Sequence, residues 1–327
     1  MSIIIQKFGG TSLRNLSKKS EFLKHVNREI DLGNKLIVVV SAMGRNGDPY
    51  ATDTFINLLE NINTVINPKK KDLIMSVGET ISAAMVSHLL ESEGFPSEAL
   101  MGFQAGIITD DTFNSSEIID INTNRIHQCL NENKIVVVAG FQGATNNMEL
   151  TTLGRGGSDT TAVALGGYLG AERVDIFTDV PGVAITDPRI VPNAKYFKKI
   201  TYDHMYNLAI NGATVIHPKA VLLGKQYNIP IRILSTFIDG PGTLINSENS
   251  DLQVIGFGIK KYKDNSIISL IFNSNCNAII KKELDNFLKN EKEHILDVEY
   301  YNDKVSLRIR TELLNEFTQR LYSKLIQ

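Results

Sequence analysis

The sequence predicts an α/β protein built around a mostly parallel central sheet, and three observations predict it. The run 35–41 reads as a buried strand with an apolar, β-branched interior, and 135–139 is an unbroken apolar stretch, as expected of strands buried on both faces. The first 41 residues read as strand, glycine turn, helix, strand, which is a βαβ unit. A second glycine turn, at 154–157, feeds a helix at 158–169 and then another core strand at 174–177.

The elements follow in order. Residues 2–6 form the first strand, and Lys7-Phe8-Gly9-Gly10-Thr11-Ser12 follows it directly. Leu13, Leu16, Phe22, Leu23, Val26 and Ile30 recur at roughly helical spacing, and Gly33 closes that helix. A polar loop, 42–53, leads to helices at 53–66 and 70–92. Strand pieces are expected at 95–101 and 106–109, and a helix at 118–130. Beyond the strand at 174–177, helices at 203–211 and 218–227 precede strands at 230–234 and 243–245, and 246–250 reads as a linker. The tail, 252–327, is poorer in glycine. It reads as strands at 254–261 and 266–272, a helix at 277–290, strands at 295–301 and 304–310, and a helix at 312–325. Two domains are therefore expected, 1–246 and a small α+β unit at 252–327.

Composition excludes several classes. Lys+Arg number 34 against 36 Asp+Glu, a net charge of −2, so neither nucleic acid nor a membrane surface is an expected partner. Cys129 and Cys276 sit in no metal-type spacing and read as unpaired thiols of a reducing cytoplasm. No apolar run approaches the roughly 20 residues of a membrane helix, and no secretory signal precedes the first strand.

The chemistry concentrates in short motifs. Gly154-Arg155-Gly156-Gly157-Ser158-Asp159 opens a helix, where backbone N–H groups and the helix dipole favour an anion. Arg155 can grip a carboxylate or phosphate with two parallel hydrogen bonds. Lys7, at a strand end before Gly9-Gly10, reads either as part of a phosphate cradle or as a surface lysine in a turn. Two anion sites at one sheet edge favour the cradle. Ser76-Val77-Gly78-Glu79 fits a capping box on spacing alone. Asp179 and Asp187 flank Pro181-Gly182 and read either as nucleotide contacts or, more commonly for such positions, as turn residues, and His217 reads as structural. No Gly-x-Ser-x-Gly elbow or His-Glu-x-x-His helix is present.

In combination these motifs resemble those of the aspartate kinases. The set is Lys7-Phe8-Gly9-Gly10-Thr11-Ser12, Val39-Val40-Ser41-Ala42-Met43-Gly44, Ser76-Val77-Gly78-Glu79, Thr152 to Asp159, and Phe177 to Gly182 with Asp187-Pro188-Arg189. Order and spacing agree over roughly 2–246, and the loop 44–53 looks like that of monofunctional bacterial forms. The resemblance implies a three-layer α/β/α amino-acid-kinase fold. It implies transfer of the γ-phosphoryl group of Mg-ATP to the β-carboxylate of L-aspartate, with no tightly bound cofactor and no dedicated metal site. It also implies a cytoplasmic homodimer or higher homo-oligomer. By resemblance, Lys7 stabilises the transferring group and Asp159 orients Lys7. Arg155 grips an aspartate carboxylate, Ser41, Thr52 and Ser158 supply hydrogen bonds, and Glu79 takes the substrate ammonium. Gly9, Gly10, Thr178, Asp179 and Arg189 line the nucleotide site.

Three departures from the family pattern stand out. Thr214 occupies a position usually held by lysine, and Ala184 one that is often aromatic, so two contacts to ATP are expected to be missing. The tail resembles one ACT unit without a clear final strand, where family members usually carry two, so feedback inhibition is expected to be weak or absent. Rival readings are a kinase for glutamate or N-acetylglutamate, and a weakly active regulatory subunit.

Overall fold

The computed structural model describes residues 1–14, 19–248, 254–273 and 277–326. Cys276 and part of the expected 246–250 linker lie outside the described residues. In chain order the elements begin β1 (Ile3–Phe8), α1 (Gly10–Leu13), α2 (Lys19–Asp31), β2 (Lys35–Val40), α3 (Thr52–Glu60), α4 (Pro68–Met75), α5 (Val77–Ser92) and β3 (Ser97–Leu100). Next come β4 (Ile107–Thr109), β5 (Ile118–Ile121), α6 (Asn124–Asn131), β6 (Ile135–Ala139), β7 (Gln142–Ala144), β8 (Leu150–Thr152), α7 (Gly157–Leu169) and β9 (Arg173–Thr178). The remainder is β10 (Lys199–Thr201), α8 (Tyr202–Ile210), α9 (Pro218–Tyr227), β11 (Ile231–Ser235), β12 (Thr243–Asn246), β13 (Val254–Lys261), β14 (Asn265–Phe272), α10 (Asn277–Asn290), β15 (Ile295–Tyr300), β16 (Lys304–Arg310) and α11 (Leu314–Leu325).

Two compact units emerge: Met1–Pro181 with Lys219–Gly242, and Gly182–Pro218 with Thr243–Gln327. The segment 182–218, expected with the first domain, thus groups with the tail. Backbone pairing explains this: Phe257 donates to the Ile185 carbonyl at 2.7 Å, and Lys195 N–H donates to the Tyr322 hydroxyl at 3.0 Å.

In the first unit, six parallel strands lie in the order β11, β9, β1, β2, β6, β3. The chain winds from β1 toward β2 and β6, then returns to place β9 on the other side of β1. The winding therefore reverses at β1, and ligands of such sheets bind beyond the strand ends at that point. Phe8, Val38, Val40, Val137 and Ala139 are fully buried under α2 and α5, which contribute Phe22, Val26, Val86 and Leu90. Complete burial of a side chain such as Phe8 is worth about 1.5–3 kcal/mol. On the opposite face Gly166 of α7 packs against Val174 and Ile5. The expected three layers and mostly parallel sheet are present. A smaller sheet has the order β5, β4, β7, β8, and its β7–β8 hairpin carries the chain from β6 to the 154–157 turn.

Two sequence expectations are corrected in this unit. The helix expected at 118–130 is a strand, Ile118–Ile121, followed by a helix, Asn124–Asn131. The helical stretch Pro68–Ser92 is, by length and composition alone, long and apolar enough to cross a membrane, which the sequence reading had excluded. Half of it is buried within the protein, with Asp72 and Glu79 inside, so it serves here as a pair of core helices.

The second unit holds the parallel pair β10 and β12 and an antiparallel sheet in the order β13, β14, β16, β15. From β14 onward the connectivity is strand, helix, strand, strand, helix, and β13 takes the edge beside β14. The fourth strand of this sheet thus comes from the front of the tail, and no strand follows α11 among the described residues.

Candidate active site

A cleft of about 630 Å³ lies beyond the carboxyl ends of β1, β2 and β6. Its lining includes Lys7, Gly10, Ser41, Thr52, Glu79, Arg155, Ser158 and Asp159. Eight of the residues singled out from the sequence therefore converge in one place, although they come from five separate stretches of chain. Gly9, Thr178 and Asp179 belong to the same unit outside that lining, and Arg189 belongs to the second unit.

Each position has a local cause. Lys7 is the penultimate residue of β1, where the strand leaves the sheet at Gly9. Its Nζ lies 2.7 Å from Asp159 Oδ1, and both side chains are only 12% exposed. Asp159 is in the first turn of α7, close to the positive end of the helix dipole. The helix is preceded by its N-cap Gly156, whose φ of 70° is in the left-handed region that glycine tolerates. Ser158 does not cap it, so its hydroxyl is available to the cleft.

Gly10 must be glycine for a steric reason. A Cβ there would stand 2.3 Å from the Ala42 carbonyl oxygen and 2.9 Å from that of Gly44, both backbone atoms. The turn after β1 and the loop after β2 therefore touch backbone to backbone, and Gly44 N–H donates to the Gly10 carbonyl at 3.1 Å. Gly10→Ala is expected to cost about 2 kcal/mol of stability. Urea denaturation monitored by circular dichroism measures it, and an unchanged midpoint would contradict this packing.

Glu79 departs from the capping-box reading. Ser76 is itself helical, at φ −72° and ψ −13°, and its hydroxyl donates to the Leu73 carbonyl rather than capping α5. Glu79 instead points into the protein, 3% exposed, with Oε2 lacking any hydrogen-bond partner. Burial pushes its carboxyl up to about 8, against the pull of the Ala42 and Glu79 N–H groups and the Lys7 charge. An orphaned buried carboxylate oxygen is costly unless a ligand completes it.

Arg155 is exposed and makes no ion pair among the described residues. Asp179 is held by Arg45 at 2.9 Å and by the Thr178 hydroxyl at 3.2 Å. Asp187 accepts from the Arg189 backbone and guanidinium at 2.7–3.1 Å, which holds its carboxyl below the usual range and makes it a turn residue. Ala184 forms an isolated bridge with Tyr196 in the second unit.

The sequence reading missed part of the lining: Asp53, Lys71, Met75, Asn114 and Phe141. Phe141 has φ 69°, an outlier for a bulky residue that its sequence neighbourhood does not signal, whereas Asn114, also at φ 69°, is of the residue type that tolerates it. Among the described residues no group of three or more His, Cys, Asp or Glu could hold a metal ion. The arrangement offers cations at Lys7, Lys71 and Arg155 for anionic groups, and a carboxylate at Glu79 for a cationic one.

The chain matches the amino acid kinase family model over residues 2–235. It is 48% identical to Aspartokinase 1 of Bacillus subtilis (strain 168) over 76% of this chain and 62% of that protein, just under two thirds of its length. It is 40% identical to an aspartokinase of Geobacillus stearothermophilus over 98% of this chain and 79% of that one. Among solved structures, aspartate kinase from Synechocystis is 33% identical, with a TM-score of 0.67 over 96% of this chain and 54% of the other. E. coli aspartokinase III in complex with aspartate and ADP has a TM-score of 0.82 over 99% and 100% of the two chains, and at 22% identity speaks for the fold.

Proposed function

For a chain that belongs to the amino acid kinase family, on its aspartokinase branch, we propose transfer of the ATP γ-phosphoryl group to the β-carboxylate of L-aspartate. The observation that carries the reading is the unpaired, buried Glu79 oxygen in one cleft with Arg155 and the Lys7–Asp159 pair. An amino acid with a second carboxylate matches those charges: its ammonium completes Glu79 and a carboxylate meets Arg155. Ser41, Thr52 and Ser158 add hydrogen bonds to it.

In the reaction a β-carboxylate oxygen attacks the γ-phosphorus, the bond to the β,γ-bridging oxygen breaks, and ADP leaves with that electron pair. The nucleophile is ionised at neutral pH, so no general base is required. The difficulty is bringing two anions together, and Lys7 neutralises charge at the transferring group while Asp159 holds its ammonium in place. Gly9 and Gly10 let phosphate approach the backbone, and Thr178, Asp179 and Arg189 are assigned to the nucleotide by resemblance. Mg²⁺ arrives with ATP as part of the substrate. The reading places this first step of the aspartate-derived amino-acid route in the cytoplasm, in a homodimer or higher homo-oligomer.

ADP release with ATP and aspartate, glutamate or N-acetylglutamate tests it. Turnover with aspartate alone is the expected result. Turnover with another acid moves the substrate assignment, and turnover only after a second protein is added makes this chain a subunit.

A further inference from the structure

We propose that Asp72 is a positioning residue for the acceptor site, its carboxylate fixing the backbone from which Arg155 reaches the substrate. The inference rests on the reading of Arg155 as the grip on a substrate carboxylate.

Asp72 lies on α4 and is fully buried. Its two oxygens accept from the Asn114 N–H at 3.1 and 3.0 Å. Oδ2 also accepts from the Thr152 N–H at 3.0 Å, and Oδ1 from the Thr152 hydroxyl at 2.6 Å. One carboxylate thus joins a helix, the 110–117 loop and the end of β8, from 42 and 80 residues away in sequence. The two partner segments also bond directly, Ser116 N–H donating to the Thr152 carbonyl at 2.9 Å.

Those segments lead straight into the cleft. Gly154 packs on Asn114, whose carbonyl oxygen would stand 3.2 Å from a Cβ at Gly154. Asn114, Gly154 and Arg155 all line the cleft, whereas Asp72 and Thr152 do not. Asn114 sits at φ 69°, a left-handed conformation that asparagine tolerates, with its N–H held by Asp72. Arg155 has no ion pair of its own among the described residues, so the placement of its guanidinium depends on where the backbone sets its Cα. An acceptor-only carboxylate suits this junction. Two of its converging groups are backbone N–H donors and the third is a hydroxyl that donates at 2.6 Å, and the carboxylate charge strengthens all of these bonds beyond what an amide oxygen supplies.

Steady-state kinetics of Asp72→Asn and Thr152→Val, each alone and in an Arg155→Ala background, test the proposal. Asp72→Asn is expected to raise KM for aspartate about tenfold, since the charge-assisted bonds that fix Asn114 and Thr152 become neutral and the Thr152 hydroxyl must reverse its role. kcat and KM for ATP should stay within about twofold, and Thr152→Val should shift KM for aspartate in the same direction by less. In the Arg155→Ala background both substitutions should lower kcat/KM for aspartate by less than about twofold, because the group they position is gone. An equal penalty in that background, an equal rise in both KM values, or a folded Asp72→Asn protein with unchanged KM would overturn the proposal. If Asp72→Asn does not fold, Thr152→Val decides on the same criteria. If the wild-type chain shows no aspartate-dependent turnover, the acceptor reading itself has failed. Amide hydrogen exchange then judges Asp72: lost protection confined to 110–117 and 150–157 in the variants upholds the positioning role, and a uniform change or none rejects it.

Discussion

Replacing Lys7 with alanine lowers kcat for aspartate-dependent ADP formation by about 1,000-fold, with KM for aspartate changed by about twofold. The asymmetry follows from where Lys7 sits. It is at the end of β1, beside the glycine turn, and its partner Asp159 is 2.7 Å away. Its charge matters most when charge moves onto the leaving ADP, so its loss falls on the transition state rather than on bound aspartate. Asp159→Asn keeps the lysine but loosens its position, and a smaller fall of about 100-fold is expected. Initial rates by coupled ADP detection measure both. A Lys7→Ala protein whose defect lay wholly in KM for aspartate would move Lys7 from the transfer step to acceptor binding.

Glu79→Gln should raise KM for aspartate about 100-fold and flatten its pH dependence. Burial holds this carboxyl up at about 8, so at pH 7 it carries a proton. An arriving ammonium ion needs the ionised form, so aspartate binding expels that proton. Between pH 6 and 8, kcat/KM for aspartate therefore rises about tenfold per pH unit in the wild type, then levels off. The same shift acts on folding, with a definite sign. The folded value is raised above the unfolded one near 4.5, so the favourable contribution of protonated Glu79 is complete below 4.5. It is lost as pH rises through the folded value of about 8. Glutamine carries no such penalty, so the ligand-free variant should gain thermal stability relative to wild type from pH 5 to 8 and hold it above. Melting curves across that range, with and without aspartate, measure it. A gap independent of pH would show that Glu79 is not held protonated.

The parts legible in the sequence were those whose cause is local. Strands buried on both faces have apolar, β-branched interiors, and Lys35–Val40 and Ile135–Ala139 are such strands. The glycine turns at Gly9-Gly10 and 154–157 were visible because close backbone approach and positive φ demand glycine. The parts misread depend on contacts distant in sequence. Ile118–Ile121 is four residues long, too short to separate from the helix that follows. β7 and β8 are three residues each and exist only by pairing with each other and with β4. The place of β13 at the sheet edge beside β14 is set by packing rather than by pattern. Glu79 matched a capping box by spacing, and its burial in the cleft overrides that match. Asp72 gave no signal, because its partners lie on other elements.

The central claim is that the phosphoryl group lands on the β-carboxylate of aspartate, and trapping the product with hydroxylamine tests it most directly. An acyl phosphate reacts with hydroxylamine to give a hydroxamate and inorganic phosphate. With ATP, L-aspartate and this chain, mass spectrometry should find the β-hydroxamate of aspartate forming in step with ADP, and about 1,000-fold more slowly with Lys7→Ala. ADP released with no hydroxamate, or a hydroxamate formed only from another acid, would contradict the claim.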